Sequence, residues 1–207
     1  QPEVAFLVPR TRSIAATIEL DSEQSRRIVS TELIPSGAGD PLLPAESVLP
    51  SGMRSIVLSE SAAAKLQVGK GDKIDGSVTR RYQGRKERRH IELTVADVAP
   101  AASFARDGAF ADVRLVEAFE EYRDGRAVPE LGWEGNPPAE QRSYPGFRLY
   151  AKSIYDVDNL RSDLAGQGIE VRTRAADIAL VMRMDRNLSA IYWAIAVIGL
   201  VGFSLSL

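Results

Sequence analysis

The chain has 207 residues, a formal net charge of −2, and 44% hydrophobic and 26% charged residues. Such proportions exclude wholesale disorder and any global field favouring nucleic acid or acidic substrates, and the length suffices for a full core. Cysteine is absent, which excludes a disulfide framework, thiol catalysis and cysteine-ligated zinc.

In chain order, Ile14 to Leu20 reads as a strand. Arg26 to Ile34, with β-branched Ile28, Val29 and Thr31, reads as a second, and Asp21 to Ser25 as the turn between them. Residues 35–50 are rich in Pro, Gly and Ser and read as a loop between subdomains. Ser55 to Leu58 is a short apolar strand, and Ser59 has the chemistry to cap a helix from Glu60 to Leu66. Gly69-Lys70-Gly71-Asp72 reads as a turn. Lys73 to Tyr82 and His90 to Val98 form two strands joined at a basic tip; in the second, Ile91, Leu93 and Val95 alternate with Glu92 and Thr94. The apolar face of Val113, Leu115, Val116, Phe119 and Tyr122 predicts a helix over Phe110 to Arg123. Gly125 to Gly146 reads as a long loop that tucks Trp133 against the fold. Phe147 to Lys152 (strand), Tyr155 to Leu164 (helix, ended by Gly166 or Gly168) and Ile169 to Thr173 (strand) make a β-α-β unit. A further helix is expected from Ala175 through Ile178, Val181 and Met182.

That helix runs into an apolar end. Leu188 to Leu207 holds no charged residue. Its length, at about 1.5 Å per residue, spans roughly 30 Å, the thickness of a bilayer's hydrocarbon core. Ten of its residues are Leu, Ile, Val or Phe, and at roughly −0.4 kcal/mol each they favour insertion by about 4 kcal/mol. The expected membrane helix therefore carries Leu188, Ile191, Trp193, Ile195, Ile198, Leu200 and Phe203. Tyr192 and Trp193 sit near its polar flank of Arg183, Asp185 and Arg186, where rings favour the headgroup zone. A buried core helix is the competing reading, and the uncharged length argues against it. Gly199 and Gly202 do not make a GxxxG packing motif.

Three segments resemble one family. Ile56 to Lys73 contains Leu66-Gln67-Val68-Gly69-Lys70-Gly71-Asp72 and is similar to the strand, small-residue helix and Leu-x-Val-Gly-x-Gly-Asp stretch of MacB-like extracytoplasmic domains. Phe147 to Asp177 resembles the closing β-α-β of that domain, and Asp185-Arg186-Asn187-Leu188 its return to the membrane. The family is the MacB/FtsX/LolC group of ABC transporter permeases. The resemblance implies an α+β fold: a porter-like subdomain from residues 1–50 and 146–186, an inserted mixed α/β Sabre-like subdomain over 51–145, and a transmembrane helix over 187–207. It implies a bacterial inner-membrane location with residues 1–186 extracytoplasmic. It also implies a separate cytoplasmic ATPase that binds the ATP, a second permease copy or related permease, and a periplasmic accessory protein as partners. Membrane helices are expected before Gln1 and after Leu207. The alternatives are a binding or sensor domain tethered by a single helix, and a membrane-tethered hydrolase.

Arg80, Arg81, Arg85, Lys86, Arg88, Arg89 and His90 make a dense basic patch around Gln83-Gly84. It reads either as a solvated hairpin tip or as a contact for anionic membrane lipid or an acidic partner, each basic residue near an anionic surface contributing about 1 kcal/mol. With Tyr82 as its only aromatic support, it does not read as a nucleic-acid site. Gly69 to Asp72 lacks the Ser or Thr of a phosphate-binding P-loop. His90 is the only histidine and no GxSxG occurs, so no catalytic set assembles and no enzyme activity, metal or cofactor is expected in this chain. Glu117, Glu120 and Glu121 are expected on a solvated helix face.

Overall fold

In a computed structural model, residues 3–23, 25–47, 52–138, 141–171, 173, 187–188, 191–193 and 195–198 are described. The chain divides into two compact units, Val4–Tyr150 and Gln1–Glu3 with Ala151–Leu207.

The first unit is built on a closed barrel. Its strands are β2 (Thr17–Ser22), β3 (Arg27–Ser36), β4 (Ser55–Ser59), β5 (Lys73–Tyr82), β6 (Arg85–Ala99) and β7 (Gly108–Asp112). They run in the order β2-β3-β7-β4-β6-β5. Pairs β3/β7 and β4/β6 are parallel, the others antiparallel, and β2 closes on β5 with Leu20 opposite Gly76. Side-chain alternation sends Ile18, Leu20, Ile74, Val78, Ile91, Leu93 and Val95 into one buried cluster. Each such residue, fully buried, contributes about 2 kcal/mol relative to exposure. The interior is full: a Cβ on Gly76 would lie 2.7 Å from Leu93 Cδ1.

Strands β4 and β7 are covered on both faces. Val57 and Phe110 leave the main cluster and pack with Ile34 and Leu43, flanked by Leu42 and Phe104. Double coverage explains the unbroken apolar run Ile56-Val57-Leu58. It also corrects the helix expected from Phe110. Gly108 to Asp112 is a strand with no polar alternation, and the helix α2 (Val113–Arg123) begins after the Asp112 cap.

Helix α1 (Glu60–Leu66) starts where Ser59 turns the chain out of β4. Ser59 Oγ accepts from Ala62 N at 3.3 Å and from Gly108 N at 3.0 Å, so one hydroxyl caps the helix and fastens it to β7. Helix α2 buries Leu115, Val116, Phe119 and Tyr122, and Trp133 packs on the last two at ring separations of 5.8 and 5.0 Å. The loop expectation for Trp133 is met by a fold-back in which Val128 N donates to Trp133 O and Trp133 N to Val128 O.

Strands β1 (Val4–Arg10) and β8 (Gly146–Ala151) form a separate two-stranded ribbon. The Arg148 guanidinium of β8 pairs with the fully buried Asp40 carboxylate and donates to Pro35 O at 2.9 Å. This ion pair fixes the ribbon to the end of β3. β2 and β3, expected within the 1–50 portion of a porter-like subdomain, pair with β5 and β7 and so complete the barrel.

The second unit contains a single 3-10 turn (Ile154–Asp156) running into α3 (Val157–Gly166), with Leu160 buried, among its described elements. The strand expected at 169–173 is not formed: Ile169, Glu170, Val171 and Thr173 lie outside any strand. Asn187–Leu188, Ile191–Trp193 and Ile195–Ile198 are helical. Ala175, Ile178, Val181, Met182, Arg183, Asp185, Arg186, Leu200 and Phe203 lie outside the described residues. Among the described residues no helix is long and apolar enough to cross a membrane.

Candidate functional site

The basic hairpin forms as a register-matched pair in which β6 begins at Arg85, so the basic run is itself a strand. Pairing runs from Lys73 opposite Thr94 to Tyr82 opposite Arg85. Gln83 (φ 49°) and Gly84 (φ 77°) are both left-handed, as a tight two-residue turn of this hand requires. β5 last meets β2 at Ser77, and β6 meets β4 only from Thr94 onward. Residues 79–88 therefore run past the neighbouring strands as a two-stranded ribbon, its inner face packed on the end of α2.

The seven basic residues divide by face. Arg80 is not a contact residue. Its side chain is 1% exposed, pairs with Glu87 at 2.7 Å and donates to the carbonyls of Tyr122, Arg126 and Glu134 at 3.4, 3.3 and 2.7 Å. Its guanidinium lies 4.4 Å from the Tyr82 ring centre and 4.2 Å from that of Tyr122. Tyr82 in turn donates its hydroxyl to Asn136 Oδ1. Strand period gave the signal: Arg80 continues the inward series Ile74, Gly76, Val78. Arg88 pairs with Glu19 at 2.9 Å, and Arg89 is half-buried. Arg89 lies beside the buried Tyr122 hydroxyl, whose burial raises the Tyr122 pKa. His90 pairs with Asp75. Arg81, Arg85 and Lys86 are exposed and have no ion pair among the described residues. Arg81 stands directly opposite Lys86.

Ser77 is the register partner of His90, which itself contacts Asp75. The arrangement is not a nucleophile–base pair: Ser77 Oγ donates to Glu19 Oε2 at 3.5 Å, and no hydrogen bond joins it to His90 among the described residues. No group of metal-ligating side chains assembles among them either.

A second charged region lies along α2. Glu117, Glu120, Glu121 and Asp124 share one stripe at helical spacing. The expected solvated face is corrected here, because Glu120 is buried and bonded on both oxygens. Oε1 accepts from Arg12 N and Nε, each at 2.8 Å, and Oε2 from Arg142 Nη1 at 2.9 Å. Arg142 Nη2 reaches Glu121 at 2.5 Å, Arg126 reaches Glu121 at 3.3 Å, Arg12 also binds Asp124, and Tyr144 donates to Glu117. The hydrogen bond to Glu117 raises the Tyr144 pKa, and those to Asp124 and Glu120 hold Arg12 more firmly protonated. A cleft of about 290 Å³ runs through this network, but its three guanidinium groups are already neutralised. Chemically the stripe is a clamp. It seizes Arg12, two residues after β1, and Arg142, four residues before β8. Sequence offers no local signal for it, since Arg12 and Glu120 lie 108 positions apart.

No family profile matches the chain, and no curated protein is significantly similar to it.

Proposed function

We propose that this chain is the extracytoplasmic domain of an ABC transporter permease, joined to the bilayer by the apolar segment 187–207. In this reading a separate cytoplasmic ATPase binds and hydrolyses ATP, and the helix passes its movement to the domain. The barrel takes the place of the Sabre-like insertion, while β1 and β8 with α3 belong to the porter-like part.

One observation carries the reading. Ile195, Ala196, Val197 and Ile198 fill a full helical turn, all apolar and all exposed. Leu188, Ile191, Tyr192 and Trp193 are exposed as well; Val197, the least exposed large side chain among the described residues of this segment, is 55% open and Ile198 71%. A helix apolar on every side needs either a protein interior or lipid around it. The described residues supply no covering, and the uncharged run to Leu207 matches lipid. The sequence resemblance supplies the permease, and the Glu120 clamp together with the Arg148–Asp40 ion pair, which hold β1 and β8 to the barrel, supply the stiffness that transmission of motion needs.

The test is alkaline carbonate extraction of membranes carrying the full-length protein and, from separate untreated membranes in mild detergent, affinity purification. The protein is expected in the membrane pellet. Ile195→Arg offsets about 3 of the roughly 4 kcal/mol favouring insertion of this helix, so the full-length variant is expected to stay mostly in the pellet. Recovery of the wild type in the soluble fraction overturns the membrane reading. Retention in the pellet without a co-purifying ATP-hydrolysing subunit overturns the permease and leaves the single-helix tether.

A further inference from the structure

We infer that the end of the β5–β6 ribbon docks on an anionic lipid surface, with Arg81, Arg85 and Lys86 contacting headgroup phosphates. This rests on the membrane tether proposed above, which holds the domain near a bilayer. The three cations lie within two residues of the Gln83-Gly84 turn. Arg81 and Lys86 share one face, and Arg85 ends the other. A flat surface meeting the ribbon end-on therefore reaches all three. Placing two cations directly opposite one another works against the hairpin's own stability, and an external anion removes that repulsion.

The ribbon is also held ready. Arg80 locks its root to three carbonyls and two rings, and Tyr82 is bonded to Asn136, so little freedom remains to be lost on docking. Shape and composition select lipid over an acidic protein. Protein interfaces centre on Trp, Tyr or Arg seated in a desolvated pocket, whereas Arg81, Arg85 and Lys86 stand open to solvent and none of the large exposed apolar side chains lies on residues 78–89. What remains is charge alone, which suits a diffuse anionic surface. Each cation strengthens such association about fivefold, so three give roughly a hundredfold. For a domain already tethered to the bilayer, that preference is enough to set its tilt.

The chain has no cysteine, so Gln83→Cys places one fluorophore at the turn. The labelled full chain is reconstituted in vesicles of phosphatidylcholine alone, and of phosphatidylcholine with phosphatidylglycerol, both containing a headgroup-attached quencher. Flotation with the neutral vesicles reports the membrane helix, and quenching reports the tip. The expected result is flotation with both and strong quenching only with phosphatidylglycerol. Quenching should vanish at roughly 0.5 M salt, where screening falls to about 4 Å. It should also vanish in the triple variant Arg81→Glu, Arg85→Glu, Lys86→Glu, whose thermal unfolding should match that of the parent. Failure to float with neutral vesicles, with tip quenching still seen on anionic ones, sinks the tether and upholds the docking. Equal quenching in both lipids, or quenching that survives charge reversal, overturns the docking. So does its absence from anionic vesicles, which passes the tip to an acidic protein.

Discussion

Two regions of the barrel unit are rich in charge, and they use it in opposite ways. Along α2, Arg12, Arg126 and Arg142 each have a carboxylate, and the best-buried one, Glu120, serves two of them. At the end of the β5–β6 ribbon, Arg81, Arg85 and Lys86 have none among the described residues. The first region spends its charge on holding the chain together; the second keeps it available. Counting basic residues along the sequence does not separate these cases. Pairing does, and Arg80 shows how sharp the boundary is, because it adjoins Arg81 and belongs with the clamp.

Arg80→Ala should have the largest effect. It leaves the Arg126 and Glu134 carbonyls without the Arg80 donor and empties the buried space between the Tyr82 and Tyr122 rings, and a loss of about 3 kcal/mol is expected. Urea unfolding followed by tryptophan fluorescence measures it, since Trp133 packs on Tyr122 beside the lost guanidinium. A loss under about 1 kcal/mol, the level of an ordinary surface pair, would erase the contrast with the tip. Glu120→Ala comes next, at about 2 kcal/mol, because its partners Arg12 and Arg142 retain access to water. Glu120→Gln, keeping shape and one acceptor, should lose less, and an equal loss would show that packing rather than charge holds the clamp. Arg85→Ala should be the smallest, within about 0.5 kcal/mol of wild type. A larger loss in the same urea titration would reveal a structural role for the tip.

The barrel was legible where local rules decide. The Ser59 cap, α1 and the alternation of Ile91, Leu93 and Val95 all follow from periods and capping chemistry that tertiary structure left intact. β7 was not legible, because a strand buried on both faces loses the alternation by which strands are recognised, and Gly108 to Asp112 merges with the helical pattern that follows. The hairpin's basic run was visible, but its division into inward Arg80 and outward Arg81 needed the strand register carried from Ile74. The clamp was invisible: Glu120 is chosen by Arg12 and Arg142, and nothing near Glu120 in sequence names them. The expected closing strand at Ile169 to Thr173 shows the reverse failure, a β-branched run whose described residues lie outside any strand.

The pairing of β1 with β8 brings the two places where the polypeptide crosses into and out of the Val4–Tyr150 unit side by side. A unit so connected occupies the footprint of a single loop. It can be spliced between two neighbouring positions of a host protein without prying them apart. Gene rearrangements that moved it intact would keep both its interior and its recipient.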